Sequence, residues 1–335
     1  MLSIPNQPVI FVRNLTKTYR VPQRESGLGA SLKSMLKRAY QEVKAVQAIS
    51  FAIEQGEMVG FIGPNGAGKT TTLKMLAGIL YPTAGEVNVL GCIPWQRGSE
   101  YLRRISMVLG NKSQMLWDIP PLDTFGVLRE IYRLPAAEYH KTLDELVDLL
   151  GMEDLLKKPV RNLSLGERMK CELVAGLLHR PSVLFLDEPT LGLDISIQRR
   201  MREFLAQYNR RYGVTVLLTS HYMADVMALC PRVILIHCGK LLYDGELQGL
   251  AQQLAPFKLL RLTLNQESSA NSALDLPPST EIVEHENSHL TLRVGREAAP
   301  SAAAYLLAKL AVTDLTIEDP PIEAVIDQIY REGNL

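Results

Sequence analysis

Met58-Val59-Gly60-Phe61-Ile62 runs directly into Gly63-Pro64-Asn65-Gly66-Ala67-Gly68-Lys69-Thr70-Thr71, and Thr72-Leu73-Lys74-Met75-Leu76-Ala77-Gly78 follows. The first run reads as a short buried strand. The last reads as the start of a helix, with a glycine-rich turn between them. That order makes an anion site. Backbone N–H groups of the turn and the unpaired ones of the first helical turn point at one spot, and the helix dipole favours negative charge there. The spacing G-x4-G-K-[ST] fits a nucleotide phosphate chain. Glycine lets the backbone approach the phosphates. Lys69 would reach the β/γ-phosphates, and the Thr70 hydroxyl would ligate Mg²⁺.

Composition bounds what surrounds this turn. A chain of 335 residues allows one core-bearing domain of ordinary size and a second, smaller one. Formal net charge is zero, so no global electrostatic attraction to nucleic acid is expected. Hydrophobic residues at 47% and charged residues at 21% are values of a soluble globular protein. No apolar run approaches the roughly 18–20 residues that span a bilayer. The N-terminus lacks a basic segment followed by an apolar one, so no signal peptide is expected. Cys92, Cys171, Cys230 and Cys238 are scattered without C-x-x-C spacing, which reads as reduced thiols rather than a metal site.

Upstream of the turn, Val9 to Val12 reads as a strand, and Tyr19 follows it. Tyr19 has two readings: a packed surface tyrosine, or a platform that stacks a base. From Pro22 to Lys44 the strand pattern is interrupted. Leu28, Leu32, Met35, Leu36, Ala39 and Val43 recur at helical spacing, and Lys33, Lys37 and Arg38 fall largely off that stripe. This basic amphipathic helix would either dock on the sheet or touch anionic headgroups or a membrane partner. Val46 to Ile53 reads as a second strand.

Downstream, Glu86 to Leu90 and Ile105 to Leu109 read as strands, the latter leading into Gly110-Asn111-Lys112-Ser113-Gln114. Residues 122–156 are helical in pattern. Asp123 or Thr124 can cap, and Leu128, Ile131, Tyr132, Leu143, Leu146, Val147 and Leu150 mark apolar stripes. Leu163-Ser164-Leu165-Gly166-Glu167 opens a further helix, with Asn162 or Ser164 as its cap. Val183 to Asp187 is a buried strand that ends in two carboxylates. At the end of an α/β strand they sit where ligands bind: Asp187 suits a Mg²⁺ shell and Glu188 suits polarising a water. Leu191-Gly192-Leu193-Asp194 follows, and the strand from Val214 to Thr219 ends at Ser220-His221.

Near Gln252 the character changes. Lys258 to Leu264 alternates like a strand, and Thr280 to Glu286 with His289 to Val294 form a hairpin turning at Asn287-Ser288. Ala298 to Leu310 reads as a helix, Asp314 to Glu318 as a strand, and Pro321 to Arg331 as a closing helix. His285-Glu286-Asn287-Ser288-His289 matches H-E-x-x-H, but that zinc motif needs both histidines on one helical face, and the flanks here alternate with period two.

Taken in order, Tyr19, the phosphate turn, the polar loop, Leu-Ser-x-Gly-x, the apolar strand with Asp-Glu, Leu-Gly-Leu-Asp and Ser-His resemble the ATP-binding subunit of ABC transporters, over residues 8 to 245. Within that family the resemblance is to the ATPases of ABC-2 type exporters. These include a branch with a basic insertion after the adenine-stacking aromatic. The fold implied is α/β: a P-loop ABC ATPase core with an antiparallel β region and a helical subdomain, plus a small C-terminal α+β domain. The domains would be 1–248, with the insertion at 22–44 and the helical subdomain at about 112–165, and 249–335.

The resemblance also implies roles. Tyr19 would stack adenine. Gly63, Pro64, Asn65, Gly66, Ala67, Gly68, Lys69, Thr70 and Thr71 would hold the phosphates of ATP and, through Thr70 with Asp187, Mg²⁺. Glu188 would be the general base, and His221 would contact the γ-phosphate. Ser164 and Gly166 would cap the γ-phosphate of the ATP bound to a second copy, with Asp194 at the dimer interface. Two departures stand out. Asn111 occupies the place of the family's loop glutamine, one methylene shorter, with Gln114 as the other candidate amide. The signature reads Leu-Ser-Leu-Gly-Glu rather than Leu-Ser-Gly-Gly-Gln.

The expected activity is ATP hydrolysis by a homodimer that powers export of a hydrophobic or amphipathic compound. Permease subunits on separate chains would supply the membrane path, with this chain peripheral on the cytoplasmic face of the plasma (inner) membrane and no nucleic acid bound. Two alternatives remain: an exporter of polysaccharide or lipid-linked glycan, which a sugar-binding C-terminal β-sandwich would favour although the helices at Ala298 to Leu310 and Pro321 to Arg331 argue for a smaller α+β domain, and a non-transport ABC ATPase acting on nucleic acid or ribosomes.

Overall fold

The computed structural model describes residues 8–22, 40–220, 222–254, 257–265, 276–277, 280–286 and 288–326. Packing divides the chain into two units, Met1–Asp244 and Gly245–Leu335.

The first unit is built on thirteen- and fourteen-residue strands β1 (Ile10–Pro22) and β2 (Tyr40–Ile53) and on the five-residue strand β3 (Met58–Ile62). Helix α1 (Lys69–Leu76) and strand β4 (Ala84–Val89) follow. Then come α2 (Ser99–Arg104) and β5 (Ile105–Leu109). A helical region contains α3 (Pro121–Tyr132), α4 (Ala136–Leu150) and α5 (Leu165–Leu177). The chain returns through β6 (Val183–Asp187), α6 (Ile195–Tyr212), β7 (Thr215–Thr219), α7 (Met223–Leu229), β8 (Arg232–His237) and β9 (Lys240–Glu246).

Strands β2-β1-β4 form an antiparallel sheet, with Ile10 opposite Ile53 on one side and Val89 on the other. A six-stranded sheet runs β5-β6-β7-β3-β8-β9, and its pairs from β5 to β8 are parallel. Strands β3, β6 and β7 are buried at every residue. Parallel strands are covered on both faces, which is why these three read as unbroken apolar runs rather than alternating ones. Phe51 of β2 meets Phe61 of β3 with ring centroids 5.8 Å apart. Ile10, Leu15, Ile53, Leu73, Met75, Leu76 and Phe185 complete a core shared by the two sheets. The parallel register sets the exits of β3, β5, β6 and β7 along one edge, where α/β folds collect their ligand loops.

Several sequence expectations need correction. The apolar stripe carried into Val43 belongs to a strand there, because β2 already starts at Tyr40 and pairs Val43 with Tyr19. The remainder of the basic insertion, residues 23–39, lies outside the described residues. Neither Asp123 nor Thr124 caps α3. Pro120 is the cap and Pro121 the first helical residue. A proline there has the helical φ already and lacks only an N–H that would be unpaired anyway. The helix buries Pro121, Thr124 and Phe125, and leaves Ile131 64% exposed. Helix α4 keeps the expected stripe, burying Tyr139, Leu143, Leu146, Val147 and Leu150.

The second unit begins in β9 and continues with α8 (Leu247–Leu254). Strands β10 (Phe257–Leu264), β11 (Glu281–Glu286) and β12 (His289–Gly295) follow, then α9 (Ala299–Lys309) and β13 (Val312–Glu318). The sheet order is β11-β12-β10-β13, all antiparallel. Leu260, Leu262, Leu290, Leu292 and Val294 on one face pack against Ala302, Ala303 and Leu306. A helical turn follows at 322–326, and the rest of the expected closing helix lies outside the described residues. In the β11/β12 hairpin His285 faces Leu290 while His289 faces Glu286. The two histidines of H-E-x-x-H therefore fall on opposite faces of the ribbon, where they cannot share a metal.

Candidate functional site

The turn between β3 and α1 is shaped for close approach. A Cβ on Gly63 would stand 2.3 Å from the Ile236 carbonyl oxygen, and one on Gly68 would stand 2.4 Å from that of Ala45. Gly68 also has a φ of +107° and is the N-cap of α1. Only glycine meets both demands. Ala67 donates its N–H to the Pro64 carbonyl at 3.1 Å and accepts from Gly239 at 3.1 Å, so β2 and the β8–β9 connection both press on the turn. Asn65 and Gly66 are exposed at its tip, while Pro64 and Thr71 are half-buried. This is a cradle of backbone donors at a helix start, sized for an anion.

Lys69 is 5% exposed and folds back on the turn, donating to the Gly63 carbonyl at 2.6 Å and the Pro64 carbonyl at 3.1 Å. Burial lowers its pKa, opposed by the negative charges of Glu188 and Asp187. A buried cation that faces two carboxylates and a ring of donors suits a polyanion bridged by a divalent metal. The Thr70 hydroxyl donates to both oxygens of Asp187, at 3.0 and 2.8 Å. These two side chains are the pair expected to hold Mg²⁺, and the oxygen donors fit a hard cation that takes most of its shell from phosphate and water.

Thr219, the last residue of β7, holds the carboxylate end of β6 in place. Its hydroxyl donates to Asp187 at 2.7 Å and accepts the Glu188 N–H at 3.1 Å, while its carbonyl accepts the same N–H at 3.0 Å. Glu188 sits at a φ of +56°, a left-handed conformation that a side chain rarely adopts. On the other side Gly110 donates to the Asp187 carbonyl at 2.8 Å, and a Cβ there would meet the Glu188 carbonyl at 2.1 Å. The exits of β3, β5, β6 and β7 thus converge on the two carboxylates.

Beyond Gly110, Asn111 is exposed. Gln114 is not available in the same way: its amide donates to the Glu172 carbonyl of α5 at 3.3 Å. The Glu172 carboxylate in turn accepts the Ser113 hydroxyl, the Gln114 N–H at 3.1 Å and the Met115 N–H at 3.4 Å. A cavity of about 260 Å³ opens here, with Asn111, Lys112, Leu165, Arg168 and Glu172 in its lining. A larger one of about 410 Å³, at Tyr139, Thr142 and His179, contains none of the expected site residues.

Ser164 is the N-cap of α5 and forms a capping box with Glu167: the Glu167 N–H donates to the Ser164 hydroxyl at 3.3 Å, and the Ser164 N–H donates to the Glu167 carboxylate at 2.8 Å. The backbone and then the hydroxyl of Ser164 hold the Glu167 carboxyl below its ordinary value. A depressed carboxylate stabilises the fold above its unfolded pKa, and that contribution is lost as the pH falls through the folded value. Ser164→Ala is expected to cost about 1 kcal/mol. Thermal unfolding at neutral pH should show a midpoint lower by about 2–4 °C, and an unchanged midpoint would remove the cap from the stability of α5.

Gly166 faces α6 so closely that a Cβ would lie 2.3 Å from the Ile197 side chain. Asp194 caps α6 through the Ile197 N–H at 2.9 Å and the Ser196 hydroxyl at 2.7 Å, and these bonds lower its pKa, the Ser196 hydroxyl first. Leu165, Leu191 and Ile195 are exposed around this corner, Ile195 by 81%. Tyr19 is half-buried on β1, opposite Val43, on the strand that pairs with the one supporting Gly68. The Lys17 ammonium stands 5.2 Å from its ring centroid. His221 lies outside the described residues. Sequence reading missed Thr219 and Glu172. A threonine closing an apolar strand beside Ser-His is a usable signal, whereas a glutamate inside an apolar helix face shows its partner only after folding.

A family model described as ABC transporter matches residues 46–191, and one described as EvrA-like ABC transporter, C-terminal domain, matches residues 256–318. The chain is 37% identical over 208 residues to the ABC transporter ATP-binding protein NatA of Bacillus subtilis, covering 62% of this chain and 84% of that protein. It is 33% identical over 239 residues to the bacitracin transport ATP-binding protein BcrA of Bacillus licheniformis, covering 70% and 75%. With the linearmycin resistance ATP-binding protein LnrL of Bacillus subtilis it shares 29% identity over 300 residues, covering 86% and 94%. Among solved structures, an ATP-binding subunit of an ABC transporter superposes with a TM-score of 0.61 at 24% identity, over 73% of this chain and 92% of that one. A dimeric ATP-binding cassette bound to ADP and Pi superposes with a TM-score of 0.59 at 22% identity, over 71% and 98%. The fold is that of a P-loop ABC cassette, and the chain belongs to the ATP-binding, ATP-hydrolysing subunits of ABC transporters.

Proposed function

We propose that two copies of this chain close two ATP molecules between them, and that hydrolysis powers export through separate permease subunits. The observation that carries the hydrolytic part is the joint at Thr70, Asp187, Glu188 and Thr219, set beside the buried Lys69. In this reading Tyr19 stacks the adenine. The turn from Gly63 to Thr71 cradles the phosphates, with Lys69 leaving the Gly63 and Pro64 carbonyls for the β/γ oxygens. Mg²⁺, held by Thr70 and Asp187, would neutralise charge on those oxygens. Glu188 accepts the proton of the attacking water, and His221 contacts the γ-phosphate. Asn111 supplies the loop amide, because the Gln114 amide is engaged with α5.

The exposed corner of Leu165, Leu191 and Ile195 beside Ser164, Gly166 and Asp194 supports closure against a second copy. No helix among the described residues is long and apolar enough to cross a membrane, so other chains would supply the path. Relatives named for bacitracin transport and linearmycin resistance support export, with a hydrophobic or amphipathic cargo and the chain peripheral on the cytoplasmic face of the inner membrane. The glycan-exporter reading gains nothing from the second unit. Its described residues form one four-stranded sheet with a helix on one face, not a sandwich of two sheets.

Affinity purification of the tagged full chain from detergent-solubilised membranes tests this. Mass spectrometry should find integral membrane chains in stoichiometric amounts. Recovery of nucleic acid or ribosomes in their place would overturn the transport reading.

A further inference from the structure

Asp225, in α7, is 1% exposed, and its carboxylate accepts from three different parts of the chain. The Arg202 guanidinium of α6 donates at 2.7 Å, the Ser220 hydroxyl at 2.8 Å, and the Thr190 hydroxyl closes the set. Arg202 is itself only 16% exposed at its side chain. A buried carboxylate is retained only when its charge is paired and its lone pairs are filled, and both conditions hold here.

The positions of these donors matter more than their number. Thr190 lies two residues after Glu188, in a turn where the Leu191 N–H donates to the Glu188 carbonyl at 3.2 Å. Gln198 donates to the Thr190 carbonyl at 3.2 Å. Ser220 is the residue after Thr219, which fixes both the Asp187 carboxylate and the Glu188 N–H. Asp225 therefore ties the segment that leaves Glu188 to the strand exit that supports it. Glu188 itself stands at a φ of +56°. A non-glycine residue in that region is strained and persists where its surroundings over-determine it. Thr219 determines it from the front, and Thr190 on Asp225 determines it from behind.

We propose that Asp225 is a positioning residue for hydrolysis, acting through the Thr190 and Ser220 hydroxyls to hold Glu188 in its left-handed conformation toward the attacking water. The proposal rests on Glu188 being the general base. It assigns the carboxylate no contact with ATP. Loss of the clamp lets the turn relax toward a right-handed φ. That moves the Glu188 carboxylate while the cradle from Gly63 to Thr71 stays intact, so turnover falls and ATP affinity does not. A structural role alone would lower the unfolding midpoint and leave kcat of the folded protein unchanged.

The test uses the full chain, with steady-state phosphate release in Mg²⁺ and ATP well below the unfolding midpoint. Thr190→Val keeps the side-chain shape and removes the hydroxyl, whereas Thr190→Ser keeps the hydroxyl. Thr190→Val should lower kcat about ten-fold with KM for ATP within about two-fold of the parent, and Thr190→Ser should restore most of the loss. Asp225→Asn should lower kcat further, and if it fails to fold the threonine pair still decides. Three results overturn the proposal: kcat of Thr190→Val within two-fold of the parent, a loss in Thr190→Ser as large as in Thr190→Val, or a fall in kcat/KM that comes from KM. Glu188→Gln run in parallel separates the premises. An active Glu188→Gln refutes the base assignment and the clamp with it, whereas an inactive one beside a normal Thr190→Val refutes the clamp alone.

Discussion

Glu188→Gln is expected to lower ATP turnover by at least about 10²-fold, the low end of what a positioned general base contributes. Glutamine matches the size of glutamate and keeps an acceptor oxygen, so the water can still be bound. It has no affinity for the proton that must leave that water. The bonds from the Glu188 N–H to the Thr219 hydroxyl and carbonyl are made by the backbone and do not change with the substitution. The fold should therefore survive, and ATP should still bind. Without hydrolysis, the closed pair proposed above should accumulate. Phosphate release measures the first effect, and light scattering after chromatography with ATP measures the second. Turnover within two-fold of the parent would remove Glu188 from the chemistry.

Lys69→Ala should weaken ATP binding by about 10²–10³-fold. The ammonium donates to two carbonyls of the turn at 2.6 and 3.1 Å, inside a site that also holds Asp187 and Glu188. With the ammonium gone, a triphosphate would approach two carboxylates with only the backbone donors of the cradle and the Mg²⁺ proposed at Thr70 and Asp187 to offset the repulsion. Two hydrogen bonds to a charged group, at the lower end of their usual worth of about 1.5–2 kcal/mol each, sum to about 3–4 kcal/mol, which gives the stated range. Methionine at the same position would keep most of the buried length and lose the charge, so Lys69→Met separates electrostatics from packing. Titration with a fluorescent ATP analogue reads the dissociation constant. A value within three-fold of the parent for both variants would show that the backbone donors alone bind the phosphates.

The central strands, the glycine turn and the carboxylate pair were legible in the sequence because each leaves a local mark. Strands β3, β6 and β7 are apolar without interruption, since both faces are covered, and glycines stand where a Cβ would strike a carbonyl. Features that depend on distant partners were not legible. Thr219 reaches Asp187 across 32 residues and Thr190 reaches Asp225 across 35, and a hydroxyl at a strand or turn end carries no periodicity. Tertiary pairing also overrode local pattern at Val43, where a helical spacing gave way to the register of β2 against Tyr19. The start of α3 was misplaced for another reason. Asp123 and Thr124 have side chains suited to capping, whereas Pro121 is a favourable first helical residue and Pro120 the cap; which apolar residues the helix buries is decided by packing, and Ile131 stays exposed.

The Glu172 carboxylate gives the cassette a mechanical property. It grips three consecutive residues, Ser113, Gln114 and Met115, from one helix. Several donors on one partly enclosed anion make a stiff joint, because sliding the segment breaks all of them at once. The loop that begins at Asn111 is therefore fastened to the middle of α5, and shifting residues 113–115 without that helix would break all of these bonds together.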